Sequence, residues 1–138
     1  MITEDYVSFE TAKLLKENGF SENTEHEIWY VIKQFSTGCH WNSCTYKVGD
    51  TTREYDDDCC IPMPTLQMAM KWLREVHNLS VRPRYDEVED GKEHLYYVWF
   101  FDILSMNPYK TLVKSVQGYS TYEEACEAAI KHCLENLI

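Results

Sequence analysis

An apolar run of strand-forming residues, with a turn signal on each side, is the feature that most constrains the fold. The run covers residues 94–104 and is apolar on both faces of an extended chain, which is typical of a central strand covered on both sides. Asp90-Gly91 precedes it as a hairpin turn signal, and Asn107-Pro108 follows it as a loop. Because short connections join antiparallel strands, this run predicts the centre of an antiparallel sheet.

Four further segments are rich in the β-branched and aromatic residues that favour strands. They are Ile28–Phe35 and residues 41–48, 81–88 and 111–116. Pro83 interrupts the third of them, and because proline has no N–H to donate to a neighbouring strand, that segment is predicted to lie at a sheet edge. The polar segment 51–58 ends in consecutive aspartates and is interpreted as a solvated loop.

Capping residues mark the ends of a first and a third helix. Ser8 is a good N-cap for the first helix, and Gly19 occupies the position after its C-terminus where a left-handed residue belongs. Thr121 and Glu124 form a T-x-x-E capping box at the start of the third helix. The apolar stripe of that helix is predicted to consist of Tyr122, Ala125, Cys126, Ala129, Ile130, Cys133, Leu134 and Leu137.

Two prolines and a threonine precede the middle helix. Pro62 and Pro64 are interpreted as opening it, because proline fixes the backbone of a first helical turn, and Thr65 is an alternative cap. Asn78 is the residue predicted to follow its C-terminus. The apolar spacing predicts one buried face, formed by Leu66, Ala69, Met70, Leu73, Val76 and His77.

These elements follow the order α-β-β-α-β-β-β-α and indicate an α+β fold. The length of 138 residues suits one core, so a single domain over residues 1–138 is expected. We predict one antiparallel sheet of four or five strands packed by three helices. The residues expected to be mostly buried are Trp72, Leu73, Trp99, Phe101, Ala129 and Cys133.

The charge balance restricts the range of partners. The chain carries 23 acidic and 13 basic residues, a net charge of −10. A negative surface repels phosphate backbones, so direct nucleic-acid binding is disfavoured, whereas binding to basic proteins is permitted. No apolar run is long enough to span a membrane, and the N-terminus lacks the basic and apolar regions of a signal peptide. A cytoplasmic location is therefore expected, with the six cysteines reduced.

Several residues that could bind a metal are concentrated in the N-terminal half: Cys39, His40, Cys44, Cys59 and Cys60. A tetrahedral zinc site needs four such ligands, usually as two closely spaced pairs. Cys39 and Cys44 have a tolerable spacing, but adjacent cysteines form a poor second pair, because neighbouring side chains of an extended segment point in opposite directions. We therefore predict half-buried thiols and no stoichiometric zinc.

The high aromatic content, 14% of the chain with 10 tyrosines and 4 tryptophans, allows two interpretations. The rings fill a small core, or they form a contact surface for a partner. The burial tendency of large rings favours the core.

No catalytic motif occurs in the chain. P-loop, G-x-G-x-x-G, H-E-x-x-H and G-x-S-x-G motifs are all absent from the sequence, so no catalytic, cofactor-binding or metal-binding residue is predicted. From Thr65 onward the elements follow the order of double-stranded-RNA-binding domains, but the final helix offers only Lys131 and His132 among its glutamates for phosphate contacts.

The predicted function is therefore non-enzymatic binding of another protein, with the oligomeric state left open. A competing hypothesis is an acidic mimic of nucleic acid that inhibits a DNA-binding host protein. A small enzyme and a zinc-stapled module are two further hypotheses for this chain.

Three stretches carry a resemblance to a group of proteins. They are Pro-Thr-x-x-x-Ala-x-x-Trp-Leu-Arg-Glu-Val-His at residues 64–77, Ile-Thr-Glu-Asp-Tyr-Val-Ser-Phe-Glu-Thr-Ala at residues 2–12, and Tyr-Glu-Glu-Ala-Cys-Glu-Ala-Ala-Ile at residues 122–130. The chain resembles short uncharacterised proteins of gut anaerobic bacteria and of their phages and mobile elements. The resemblance implies an accessory role in a mobile element, and it carries no activity, cofactor or site residue.

Overall fold

The structure is a computed structural model that describes residues 1–20, 28–35, 38–45, 60–89, 91 and 95–138, with 28–35, 38–45 and 60 described by backbone alone. The helices of these residues are α1 (Phe9–Glu17), α2 (Leu66–His77) and α3 (Tyr122–Asn136). The strands are β1 (Ile28–Phe35), β2 (Gly38–Thr45), β3 (Cys60–Pro62), β4 (Leu79–Glu89), β5 (Leu95–Met106) and β6 (Tyr109–Lys114). The α+β class and the antiparallel pairing are confirmed.

The elements form two compact units, residues 1–65 and 66–138. Among the described residues, each unit shows a three-stranded sheet, with the orders β2-β1-β3 and β4-β5-β6. The described residues therefore do not show the predicted single sheet of four or five strands. Both sides of β1 and both sides of β5 are taken by strands of their own unit, so β1 and β5 are the central strands of their sheets.

In the first unit, β1 has the predicted bounds and pairs with β2 from Phe35 opposite Gly38 to Ile28 opposite Thr45. The sequence pattern predicts the second strand at 41–48, but pairing begins at Gly38 and shifts the strand toward the N-terminus. The predicted loop at 51–58 lies outside the described residues.

The predicted ends of α1 are confirmed. The Ser8 hydroxyl accepts a hydrogen bond from the Thr11 N–H at 3.3 Å, as an N-cap does. Gly19 has a φ of 87°, and its N–H donates to the Lys16 carbonyl at 3.1 Å. This left-handed position favours glycine, and the bond satisfies one carbonyl of the last helical turn. Phe20 is then completely buried.

The prediction that Pro62 and Pro64 open the middle helix is wrong. Pro62 is the last residue of β3, opposite Trp29, and the Pro64 carbonyl accepts the N–H of Val7 at 3.0 Å. A residue that precedes proline is disfavoured in helical conformation, so the segment stays extended. Helix α2 begins at Leu66, directly after Thr65.

The second unit has the order α-β-β-β-α. Strand β5 is central in its sheet, and β4, which contains Pro83, is an edge strand, as predicted. Helices α2 and α3 pack against each other and against the sheet. The residue that follows α2, Asn78, has the expected positive φ of 59°.

Two hairpins connect the strands of this sheet. The β4–β5 hairpin closes with Glu89 opposite Leu95, and Gly91 has a φ of 76°, which glycine adopts without steric cost. The β5–β6 hairpin closes with Met106 opposite Tyr109, and the cis peptide Asn107-Pro108 lies between them. Both turn signals of the sequence therefore lie in hairpin connections.

The core of the second unit lies between its sheet and its helices. Of the residues expected to be buried, Trp99 is only half-buried and the others are buried, namely Trp72, Leu73, Phe101, Ala129 and Cys133. Val76, predicted for the buried face of α2, is instead 47% exposed. It lies in the last turn of α2, beyond Leu73, the last residue of this helix that is buried. In the described part of the chain, no helix combines the length and apolarity needed to cross a membrane.

Candidate functional site

The potential metal ligands of the N-terminal half lie mainly on strand β2. Cys39, His40 and Cys44 stand opposite Gln34, Lys33 and Trp29 of β1, and Cys60 stands opposite Val31. Cys59 lies outside the described residues, as do the side chains of the others. No group of three metal-ligating side chains occurs among the described residues, and the absence of zinc stays a prediction.

The two cysteines of α3 are core residues, as predicted. Cys126 and Cys133 are fully buried and unpaired. Burial raises the pKa of the Cys126 thiol to about 11 and that of the Cys133 thiol to about 12. Since the thiolate is the reactive form, these cysteines are inert at neutral pH.

His77 ends α2, and the carbonyl groups at the C-terminus of a helix favour a protonated histidine ring. The surroundings of His77 favour the neutral ring instead. Its ring contacts the edge of Trp72, with 4.6 Å between the ring centroids. Burial lowers the pKa of His77 from its usual value of 6.5, so the ring is mostly neutral at pH 7. His26 and His94 lie outside the described residues.

One face of the second sheet carries a charged network. Asp102, only 2% exposed, accepts hydrogen bonds from Arg82 Nη2 and Arg84 Nε, both at 3.1 Å. Arg84 also binds Asp86 at 3.1 Å and covers the ring of Phe100. Burial tends to raise the pKa of Asp102, but the hydrogen bonds from the two arginines outweigh it and hold this pKa below its usual value. The charges in the network balance, so it stabilises the sheet and offers no free cation.

The opposite face carries a row of four aromatic rings. Tyr97 stacks on Tyr85 with 5.4 Å between centroids, and Tyr85 lies 5.0 Å from Trp99. Trp99 meets the edge of Tyr122, the first residue of α3, at 5.3 Å. The row exists because Tyr85 pairs with Trp99 across the two strands, and residues directly opposite each other share a face.

Carboxylates continue this row toward the end of the hairpin. Glu87 pairs with Tyr97 and Glu89 pairs with Leu95, so both glutamates lie on the face of the rings. The Tyr97 hydroxyl donates to Glu87 Oε1 at 2.6 Å, which raises the pKa of Tyr97. We define the aromatic–acidic surface as Tyr85, Glu87, Glu89, Leu95, Tyr97, Trp99 and Tyr122.

The aromatic–acidic surface is open to solvent. Tyr85 is 59% exposed, Tyr97 52% and Leu95 62%. The interpretation of the aromatic rings as core holds for Phe20, Trp72 and Phe101. It does not hold for the tyrosines in the described part of the chain, each of which is exposed or half-buried: Tyr6, Tyr85, Tyr96, Tyr97, Tyr109, Tyr119 and Tyr122. The sequence allowed a contact surface as the alternative interpretation but did not locate it, because the strand pattern alone does not show where the covering helices end.

Comparison of the chain with protein-family models, with curated proteins and with solved structures gives no match.

Proposed function

We propose that the chain is a non-enzymatic accessory protein, of phage or mobile-element origin, that binds a basic segment of another protein through the aromatic–acidic surface. The observation that carries the proposal is the exposed row of rings joined to Glu87 and Glu89 on one face of the β4–β5 hairpin. Contiguous exposed apolar area of this kind is uncommon on a protein without a partner.

The rings favour a macromolecular partner because they present a large area at little entropic cost. Tyrosine and tryptophan dominate the energetics of protein interfaces. Here each ring already contacts its neighbour in the free protein, so little side-chain freedom remains to be lost on binding.

The charges favour a basic partner. Glu87 and Glu89 border the rings, and Glu123 follows Tyr122 directly in the sequence. The whole chain has a net charge of −10, which attracts cations over a longer range. Lysine and arginine side chains also bind over the faces of tyrosine and tryptophan. The same charges disfavour a nucleic acid as the direct ligand.

The test measures binding of a lysine-rich peptide to the full chain by calorimetry. Tyr97→Ala should weaken binding by about tenfold, because the ring that joins the row to Glu87 is lost. The matched control is Tyr109→Ala, since Tyr109 is also an exposed tyrosine, 74% accessible, but lies at the opposite end of the sheet. Equal loss in both variants, or no binding by the unaltered chain, would refute the proposal.

The competing hypothesis of a nucleic-acid mimic needs carboxylates in an uninterrupted row. On the outer side of α3, Glu123, Glu127 and Glu135 recur at helical spacing, but Lys131 interrupts them and binds Glu135 at 3.9 Å. The described residues therefore support the binding of a basic segment more than mimicry.

A further inference from the structure

The backbone hydrogen bonds of β5 show which way each residue of its sheet directs its polar groups. Trp99 and Tyr119 exchange N–H···O bonds of 2.8 and 2.7 Å, and the Phe101 carbonyl accepts the N–H of Ser115 at 2.8 Å. Trp99 and Phe101 therefore point their N–H and C=O groups away from β4. Since this direction alternates along an antiparallel strand, Val98 and Phe100 point theirs toward β4.

The same alternation identifies the backbone N–H and C=O groups of β4 that do not bond to β5. Asp86 pairs with Val98 and Arg84 with Phe100, so the backbone groups of these two residues are used inside the sheet. The backbone groups of Tyr85, Glu87 and Glu89 then point outward from the edge. A side-chain bond agrees with this direction, because the Glu87 N–H donates to Asp86 Oδ1 at 2.8 Å instead of to a strand.

The outward backbone groups and the aromatic–acidic surface belong to the same residues. Tyr85, Glu87 and Glu89 present their side chains on the ring face and their N–H and C=O groups at the outer edge of β4, where none of the described strands pairs. We infer that the basic partner adds to β4 as an antiparallel strand along Tyr85–Glu89, with lysine or arginine at every second position. This inference rests on the proposed function and specifies its partner.

The alternation of basic residues follows from the geometry of strand pairing. A partner residue directly opposite Glu87 or Glu89 lies on the same face, about 5 Å away between Cβ atoms. A cation there is stabilised by the carboxylate and lies beside the rings of Tyr85 and Tyr97. The intervening partner residues point to the other face, where the charges of the Arg84–Asp86 pair already balance.

The edge also disfavours pairing with a second copy of this chain. Two β4 edges would bring their glutamates together, and like charges opposite each other destabilise a sheet. Pro83 lacks an N–H and limits pairing beyond Tyr85, and the bond from Asp86 covers the Glu87 N–H in the free protein. When a basic strand binds, the Glu87 N–H donates to a backbone carbonyl of the partner in place of Asp86. The basic side chains of the partner also form ion pairs with Glu87 and Glu89.

The test uses the full chain and an eight-residue peptide of alternating lysine and threonine. One derivative carries N-methyl groups on the lysine amides, which would face β4. A second carries them on the threonine amides, which would face away and serve as the matched control. Lysine methylation should weaken binding by about tenfold or more, and threonine methylation should leave it unchanged. Binding of the parent peptide should also slow hydrogen exchange at the amides of Tyr85 and Glu89.

The ways in which this test can fail are distinguishable. Equal binding of both methylated peptides would overturn strand addition and leave the proposed function standing, provided that Tyr97→Ala still weakens binding. Unchanged exchange at Tyr85 and Glu89 in a saturated complex would also overturn strand addition. No binding of any of the three peptides would overturn the inference together with the proposed function.

Discussion

Asp102 lies in the most deeply buried stretch of β5, and its environment makes it a stabilising charge. A buried carboxylate is costly unless it is paired and hydrogen-bonded. Arg82 and Arg84 approach it from the neighbouring strand through separate nitrogen atoms. Both arginines keep contact with solvent, so only the carboxylate is fully desolvated.

We expect Asp102→Asn to lower the free energy of unfolding by about 2 kcal/mol, because hydrogen bonds to a charged group are lost. The control Asp86→Asn removes an exposed carboxylate that also binds Arg84, and it should cost less than about 0.5 kcal/mol. Urea titration at neutral pH measures both effects. Equal losses would show that burial of Asp102 adds nothing.

The same residue predicts a pH dependence. The folded-state pKa of Asp102 lies below its usual value of 3.8, so the unfolded chain takes up the proton first as the pH falls. The stabilisation is complete well above pH 3.8 and is lost as the pH falls toward the folded-state pKa. Between neutral pH and about pH 2, the unaltered chain should therefore lose more stability than Asp102→Asn.

At the scale of the element, α3 is held at its start by two reciprocal bonds. The Thr121 hydroxyl accepts the N–H of Glu124 at 3.1 Å, and Glu124 Oε2 accepts the N–H of Ser120 at 3.2 Å. We expect Thr121→Ala to cost about 1 kcal/mol. Ser120→Ala keeps the Ser120 N–H and should be nearly neutral. Thermal unfolding of both variants tests this, and a larger loss for Ser120→Ala would contradict it.

Strand β5 is approached closely by the segment that precedes α3. A Cβ atom at Gly118 would lie 2.5 Å from Val98 Cγ2, and the short branched side chain of valine has little room to move away. Gly118→Ala should therefore destabilise the chain by about 1–3 kcal/mol. The double variant with Val98→Ala removes the 2.5 Å contact and keeps only the milder one with the Cβ of residue 98 at 3.1 Å, so its loss should be smaller than the sum of the single losses. If the losses of the two single variants add up to that of the double variant, contact with Val98 is not the cause of the loss in Gly118→Ala.

Element boundaries were predictable from the sequence where their chemistry is local. The hydroxyl of Thr121 and the positive φ of Gly19 and Asn78 depend on residues a few positions away. The short strand β3 was not predictable, because its residues pair only when β1 supplies an edge. Asp102 was equally hidden, since only the pairing of β4 with β5 brings arginines to it.

At the scale of the molecule, the surplus of negative charge should make partner binding sensitive to salt. Affinity for the alternating lysine–threonine peptide should fall by about tenfold between about 0.05 and 0.5 M sodium chloride, as ions screen the attraction. Glu87→Gln combined with Glu89→Gln should flatten this dependence. The control pair Glu10→Gln and Glu75→Gln removes the same charge from α1 and α2. An equal flattening by both pairs would contradict a local role.

The position of Trp99 has an optical consequence. Its indole is half-buried within the row of rings, whereas the indole of Trp72 is completely enclosed. A partner that covers the row would displace water from Trp99 and shift its fluorescence emission to shorter wavelength, while Trp72 emits unchanged. Trp99→Phe should abolish the shift, and a shift that persists in this variant would place the partner elsewhere. The chain thus contains its own unlabelled sensor for the occupancy of this surface.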